Sequence, residues 1–212
     1  MPSVQEIPDE KGLIEIANTF VYEGSGFYSE YDADMYSEDF VFRGPTIGPL
    51  NKKDYLATMD TFKLYEALPD INPNAFGYHI DPRDSNRVWF MVRNTGTFTG
   101  KPIGLGIGNL SVPPNGAKIE GCAETFSIIF DKNKKVKHLT VGYVADRFEG
   151  NTMGSGAALG IFRAVGLPIP NSGPMGKLVR VLGDLAGGTG KTFSRELPSW
   201  WKSTEIGPDG YD

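Results

Sequence analysis

The chain has 212 residues, a formal net charge of −5 and a pI near 5.1, enough for one domain with an appendage and for a core that needs no staples. No apolar run reaches the roughly 18 residues of a membrane helix, and the acidic balance argues against a nucleic-acid partner. A single cysteine, Cys122, and two histidines, His79 and His138, exclude an intrachain disulfide framework and leave no expectation of a metal or other cofactor. Met1–Glu10 lacks the basic region and apolar stretch of a secretory signal. The expectation is a soluble intracellular protein, cytoplasmic or in an organelle after removal of a targeting peptide. The 27 glycines, nearly twice the average usage of about 7%, announce turns, bulges or close backbone approaches.

In chain order, Leu13, Ile14, Ala17, Phe20 and Val21 predict a helix from Lys11, broken at Gly24-Ser25-Gly26 and resumed as a short helix near Tyr28 to Tyr36. Phe40 to Phe42 reads as a short strand before the Gly44-Pro45 and Gly48-Pro49 turn signals. Asn51 is a candidate N-cap for a helix from Lys52 to about Tyr65. After Pro69 strands follow: one over 75–82, a long one over 87–100 with Val88, Phe90 and Val92 on one face, and a hairpin over 116–148 turning at Asp131-Lys132-Asn133-Lys134. Helices first and antiparallel strands after give an α+β class. From residue 151 the chain becomes Gly/Pro-rich, with helical spacing at 157–165 and again through Met175, Leu178, Val179, Leu182 and Leu185. Trp200 and Trp201 are expected to anchor the tail. The expected division is therefore 1–150 as the main domain and 151–212 as an extension of short helices packed on it.

Three phrases, "YSEDFVFRGPTIGPLNKKDYLATM", "NTGTFTG" and "AETFSIIFDKNKKVKHLTVGYVADRF", taken in order, resemble the SnoaL-like branch of the NTF2-like superfamily over about residues 11–166. The resemblance implies a cone: a curved antiparallel sheet packed on the N-terminal helices and enclosing an apolar pocket. Gly96, Gly100, Gly121 and Gly142 would bend its strands, and Phe27, Phe42, Trp89, Phe98, Phe126 and Ile128 would line the pocket. It further implies a small apolar ligand (a polyketide, terpenoid, pigment or lipid-like molecule), and a homodimer through the sheet face.

In relatives that isomerise or cyclise carbonyl compounds, a carboxyl buried in apolar surroundings titrates high enough to move protons near neutrality. At the positions that match, this chain carries Gly44, Phe126 and Phe98, none of which can do acid-base work, and Tyr143. Two substitutes are expected: Tyr143 as a hydrogen-bond donor to a carbonyl, and Glu124, which shares a strand face with Phe126 and Ile128, as a buried acid or base. Against these stand plainer roles, an aromatic core residue for Tyr143 and a strand-end charge for Glu124. Asp34 reads as a helix-surface charge, Arg43 and Arg93 as surface ion-pair partners, His79 and His138 as residues of strands that do not adjoin, and Cys122 as a small buried filler.

"LAGGTGKT" at 185–192 departs from the phosphate-binding loop, with Leu185 where glycine is required and no strand before it. "GLGIGNL" at 104–110 reads as a loop joining two strands. Two functional readings stand: cofactor-independent isomerisation, cyclisation or hydrolysis of a small apolar molecule, and a non-catalytic ligand carrier or dimeric interaction scaffold.

Overall fold

The computed structural model describes residues 10–45, 47–104, 111–167 and 194–201. The first helix, α1 (Glu10–Thr19), buries Leu13 and Ala17 and widens into one π turn over Phe20–Gly24. Ser25 ends it by donating its hydroxyl to the Val21 carbonyl (2.9 Å). No second helix forms at 28–36. Asp32 accepts from the Asp34 N–H (2.9 Å), a single 3-10 turn covers Ala33–Met35, and Tyr36 opens strand β1 (Tyr36–Arg43). The tyrosine is needed there. Its ring packs between Phe20 and Phe40, at 5.2 and 4.9 Å between centroids, and its hydroxyl donates to the Gly24 carbonyl. A fully buried aromatic contributes about 1.5–3 kcal/mol, more than one helical turn can offer at this site.

After the short strand β2 (Leu50–Asn51) comes α2 (Lys52–Phe62). Asn51 caps it as expected, its side-chain oxygen accepting from the Asp54 N–H at 2.9 Å. Tyr55 on the buried face of α2 packs on Phe42 and Phe40 and donates to the Ser25 carbonyl (2.8 Å). That bond ties α2 to the end of the π turn. A one-turn helix, α3 (Leu64–Ala67), follows a break at Lys63.

The strands are β3 (Phe76–Asp81), β4 (Asp84–Val92), β5 (Thr95–Thr97), β6 (Ile103–Gly104), β7 (Ser111–Val112), β8 (Lys118–Glu120), β9 (Glu124–Phe130) and β10 (Val136–Val144). Four of them join β1 and β2 in one curved six-stranded sheet, in the order β2-β1-β10-β9-β4-β3. The class is α+β, as expected, with one amendment to the antiparallel sheet. β1 runs parallel to β10, Val41 beside His138 and Arg43 beside Thr140. The hairpin at Asp131–Lys134 is present: Asp131 accepts from the Asn133 and Lys135 N–H groups, and Lys134 takes the left-handed conformation the turn demands.

Two strands that read as continuous are each split. β4 stops at Val92, and β5 leaves the main sheet to pair with β8. Likewise β8 and β9 are separated at Gly121–Ala123. The two breaks meet: Gly121 donates its N–H to the Asn94 carbonyl (2.7 Å), and a Cβ on Gly121 would lie 2.9 Å from the Asn94 nitrogen. Glycine allows the two kinked strands to cross.

Helix α4 (Ala157–Ala164) closes the layer on the helical side. Ile161 and Phe162, with Val165 and Leu167 just beyond it, join the same core as α1, α2 and the sheet. Residues 194–201 lie against other elements. The Ser194 hydroxyl donates to Asp54 (2.6 Å), Asn51 donates its side-chain amide to the Glu196 carbonyl (2.8 Å), and Trp200 Nε1 donates to the Asp39 carbonyl (2.8 Å). His138 sits edge-on to both Trp200 and Trp201, so the expected aromatic anchor is present. The helical spacing at 175–185, the 185–192 phrase and all of the 104–110 loop after Gly104 lie outside the described residues. Among the described residues no helix is long and apolar enough to cross a membrane.

Candidate functional site

Between α2, the β1/β10 end of the sheet and α4 lies a cavity of about 60 Å³. Phe27, Phe42, Tyr55, Met59, Val141 and Phe162 make up much of its wall. Its polar side chains are already engaged: Tyr55 donates to Ser25, and the Thr58 hydroxyl donates to the Asp54 carbonyl (2.7 Å). Water entering such a space finds too few partners, so an apolar occupant is favoured.

The cavity owes its size to α4. Ala157, Ala158, Leu159 and Phe162 all face it, and Phe162 lies against Phe62 with centroids 5.5 Å apart. The deep pocket of the sequence expectation is thus largely filled by the chain's own residues. Of the expected lining residues, Phe27 and Phe42 border the cavity. Phe98, Phe126 and Ile128 are buried core side chains that do not border it. Trp89 is half-buried on the other face of β4, where its Nε1 donates to Asp81 (2.7 Å) and Arg87 stacks over its ring.

Glu124 and Tyr143 part company. Glu124 opens β9 on the inner face, 1% exposed. One carboxylate oxygen accepts from Asn94 Nδ2 (3.2 Å) and the other from the Ala157 N–H (2.7 Å). Asn94 in turn accepts from the Tyr28 hydroxyl (2.7 Å). Burial pushes the Glu124 carboxyl up to about 7, against the lowering pull of the Ala157 and Asn94 donors. The acid therefore stands directly behind the cavity wall at Ala157, the first residue of α4. Burial raises the Tyr28 hydroxyl well above its ordinary range, so Tyr28 is a neutral donor.

Tyr143 is 41% exposed and does not border the cavity. Val141 and Gly142 are both buried, and the register of β10 against β9 shifts between Thr140 and Tyr143. Gly142 occupies this bulge in the left-handed region, φ +81°. The extra residue turns the following side chain to the other face, so Tyr143 falls opposite Thr125 on the outer surface.

Other expected positions are simply placed. Asp34 is exposed, and Arg93 pairs with Glu149 at 2.8 Å. Cys122 is buried, its Sγ 3.6 Å from the Thr152 hydroxyl, and burial pushes the thiol up. His79 and His138 lie on β3 and β10, with two strands between them. Arg43 borders no part of the cavity. Among the described residues no cluster of three His, Cys, Asp or Glu side chains could hold a metal ion.

Sequence reasoning missed Tyr28 and Asn94. A polar residue just before Thr-Gly in an otherwise apolar strand run was the one available signal for Asn94.

No known family's sequence profile and no curated protein matches the chain. Among solved structures it is similar to a protein from Jannaschia sp. CCS1 assigned as a SnoaL-like polyketide cyclase, at 15% identity over 65% of this chain and 88% of that one, with a TM-score of 0.45. It is also similar to a phenazine biosynthesis-related protein from Pseudomonas aeruginosa (14%, 82% and 96%, 0.43). A third is an NTF2-like protein from Anabaena variabilis (17%, 63% and 90%, 0.41). These are likenesses of fold.

Proposed function

We propose that this chain binds a small apolar molecule in the cavity between α2, β10 and α4. The observation that carries the reading is a wall made of apolar side chains whose few polar atoms are already bonded within the protein. The test is binding of xenon, a guest small enough for this cavity, followed by xenon NMR with the protein and with Ala158→Phe, which places a ring in the cavity from α4. At least a tenfold loss of affinity is expected in the variant. Equal binding by both proteins overturns the reading.

A second reading, acid-base turnover of the bound molecule by isomerisation or cyclisation, is favoured by one further observation. A buried carboxyl with a pKa of about 7 stands one residue behind the wall, in the range a general acid or base needs. In this reading Glu124 moves the proton while Asn94 and Tyr28 hold it in place. Tyr143, on the outer face, is left as the sequence-expected donor without a place at the cavity. Exchange of deuterium from solvent into acetone, followed by NMR, should exceed the buffer rate with the native chain and return to it with Glu124→Gln. Identical exchange by both proteins removes Glu124 from the chemistry.

A second copy of the chain is the proposed protein partner. Phe76, Met91, Thr125 and Tyr143 fall on one rung across β3, β4, β9 and β10. Phe76 and Tyr143 are 43% and 41% exposed. This rung supports pairing through the outer sheet face.

A further inference from the structure

Helix α4 is held unevenly. Its C-terminal side is fixed: Gly160, Ile161, Phe162, Val165 and Leu167 are buried, and Asn115 donates its side-chain amide to the Val165 carbonyl (3.0 Å). Its first turn is not, for Ala157, Ala158 and Leu159 are only half-buried. Upstream, the chain is pinned as far as Thr152. Asn151 donates its N–H to the Glu120 carbonyl (2.8 Å) and its side-chain amide to the Lys118 carbonyl (2.7 Å), and Thr152 is buried. Met153, Gly154, Ser155 and Gly156 stand between these anchors. Met153 is 75% exposed. Met153, Gly154 and Ala157 take left-handed conformations, at φ +53°, +68° and +48°. Two of the three are not glycine, a state that persists only where the surroundings hold it.

Ala157 is held from outside its own helix. Gly156, the N-cap, supplies no side-chain cap, and the Ala157 N–H is taken instead by Glu124 from β9 (2.7 Å). Gly156 itself lies against the backbone of Gly142: a Cβ at 156 would stand 2.7 Å from the Gly142 carbonyl carbon and closer still to its oxygen. Gly160, at the junction with the fixed side, weakens the helix where a bend would fall. The same turn keeps apart what the acid-base reading needs together. Ala157, Ala158 and Leu159 face the cavity, and Glu124 lies behind Ala157. While the Ala157 N–H occupies that carboxylate oxygen, no molecule in the cavity reaches it.

Resting on the apolar-binding reading above, we propose that the first turn of α4 is a flap, swinging between Gly154 and Gly160, that admits the ligand and uncovers Glu124 to it in one movement. The bond from Ala157 to Glu124 is its latch. The sheet and the seating of Phe162 on Phe62 stay as they are.

Hydrogen exchange of the unaltered chain, followed by NMR, tests the movement. The Ala157 N–H should exchange at least a hundredfold faster than the amides of Ile128 and Leu139, paired in the middle of the sheet. Equal protection overturns the flap. Benzene binding is the second measurement, with Gly156→Ala as a wedge. Alanine fits the extended backbone at 156 (φ −98°, ψ 173°), so its conflict is with Gly142 and pushes the turn outward. Benzene fits a cavity of about 150 Å³ and not the present one of about 60 Å³. It should bind Gly156→Ala at least fivefold more tightly than the parent chain. Unchanged or weaker binding by a variant whose circular dichroism matches the parent overturns the flap. The exchange measurement decides alone if Gly156→Ala does not fold. Xenon binding that responds to Ala158→Phe, with Ala157 as protected as the sheet, removes the flap and leaves the cavity reading standing. Xenon binding that is absent, or indifferent to Ala158→Phe, overturns that reading and this proposal with it.

Discussion

Glu124 and His138 are shifted by burial in opposite senses. Glu124 rises to about 7. His138, whose Nε2 is buried without a hydrogen-bond partner among the described residues, falls to about 4 through burial first and then the nearby Arg87 and Arg43 charges. The signs follow from linkage. Between about pH 4.5 and 7 the folded chain holds a proton on Glu124 that the unfolded chain has lost, so stability falls as pH rises. Between about pH 4 and 6.5 the unfolded chain holds a proton on His138 that the folded chain excludes, so stability rises with pH. The two oppose each other below pH 6.5, and the Glu124 slope alone continues to about pH 7. Glu124→Gln should therefore unmask a climb in Tm of about 5 °C or more between pH 4.5 and 6.5, on the scale of about 2–4 °C per kcal/mol for a chain of this size. His138→Phe should show the reverse slope. Thermal melts across this range check both, and parallel curves for parent and variants count against either assignment. Glu124 was legible from its strand-face partners Phe126 and Ile128. Its donors were not, because Asn94 and the Ala157 N–H reach it from 30 and 33 residues away, and Tyr28 acts only through Asn94.

At the scale of elements, Asn51 serves two segments. Its side-chain oxygen caps α2, and its amide holds the Glu196 carbonyl. Asn51→Asp should keep most of the stability because the acceptor remains, whereas Asn51→Ala should cost about 1–2 kcal/mol in urea unfolding. Equal losses would show that the Glu196 bond matters more than the cap. Gly142 is the other sensitive point. An alanine there would adopt a left-handed conformation with its Cβ 3.1 Å from Ala157 and 3.3 Å from Pro45. A loss of about 2 kcal/mol is expected, read from the same unfolding curves. Element identity was legible wherever local chemistry decides it: the Asn51 cap, the Asp131 turn and the alternation of Val88, Phe90 and Val92. The helix expected at 28–36 failed because Tyr36 is claimed by Phe20 and Phe40, partners 16 and 4 residues away. The long strands failed because Asn94 and Gly121 lock their kinks together through tertiary contact.

For the whole molecule, the exposed rung from Phe76 to Tyr143 predicts self-association. Sedimentation should show a dimer at micromolar concentration that Phe76→Asp or Tyr143→Asp converts to monomer. A parent chain that sediments as a monomer at 100 µM removes the interface. The α+β class was legible from the order of helices and strands. The size of the cavity was not, since it depends on how far α4 enters, and that is set by the seating of Phe162 on Phe62 and by the bond from Ala157 to Glu124.

The parallel pairing of β1 with β10 also dictates a timetable. Val41 and His138 are neighbours in the sheet yet stand almost a hundred residues apart in the chain. The hairpins β3/β4 and β9/β10 can form from nearby residues, but β1, β2 and the aromatic cluster of Tyr36, Phe40, Phe42 and Tyr55 have no sheet to join until β10 exists. On the ribosome, the first third of the chain leaves the exit tunnel with those rings uncovered and waits for Val144. Closure of so long a loop is slow, and exposed apolar segments in the interval are prone to aggregate. The topology therefore leaves the rings of the N-terminal third without their sheet until its last strand has been made.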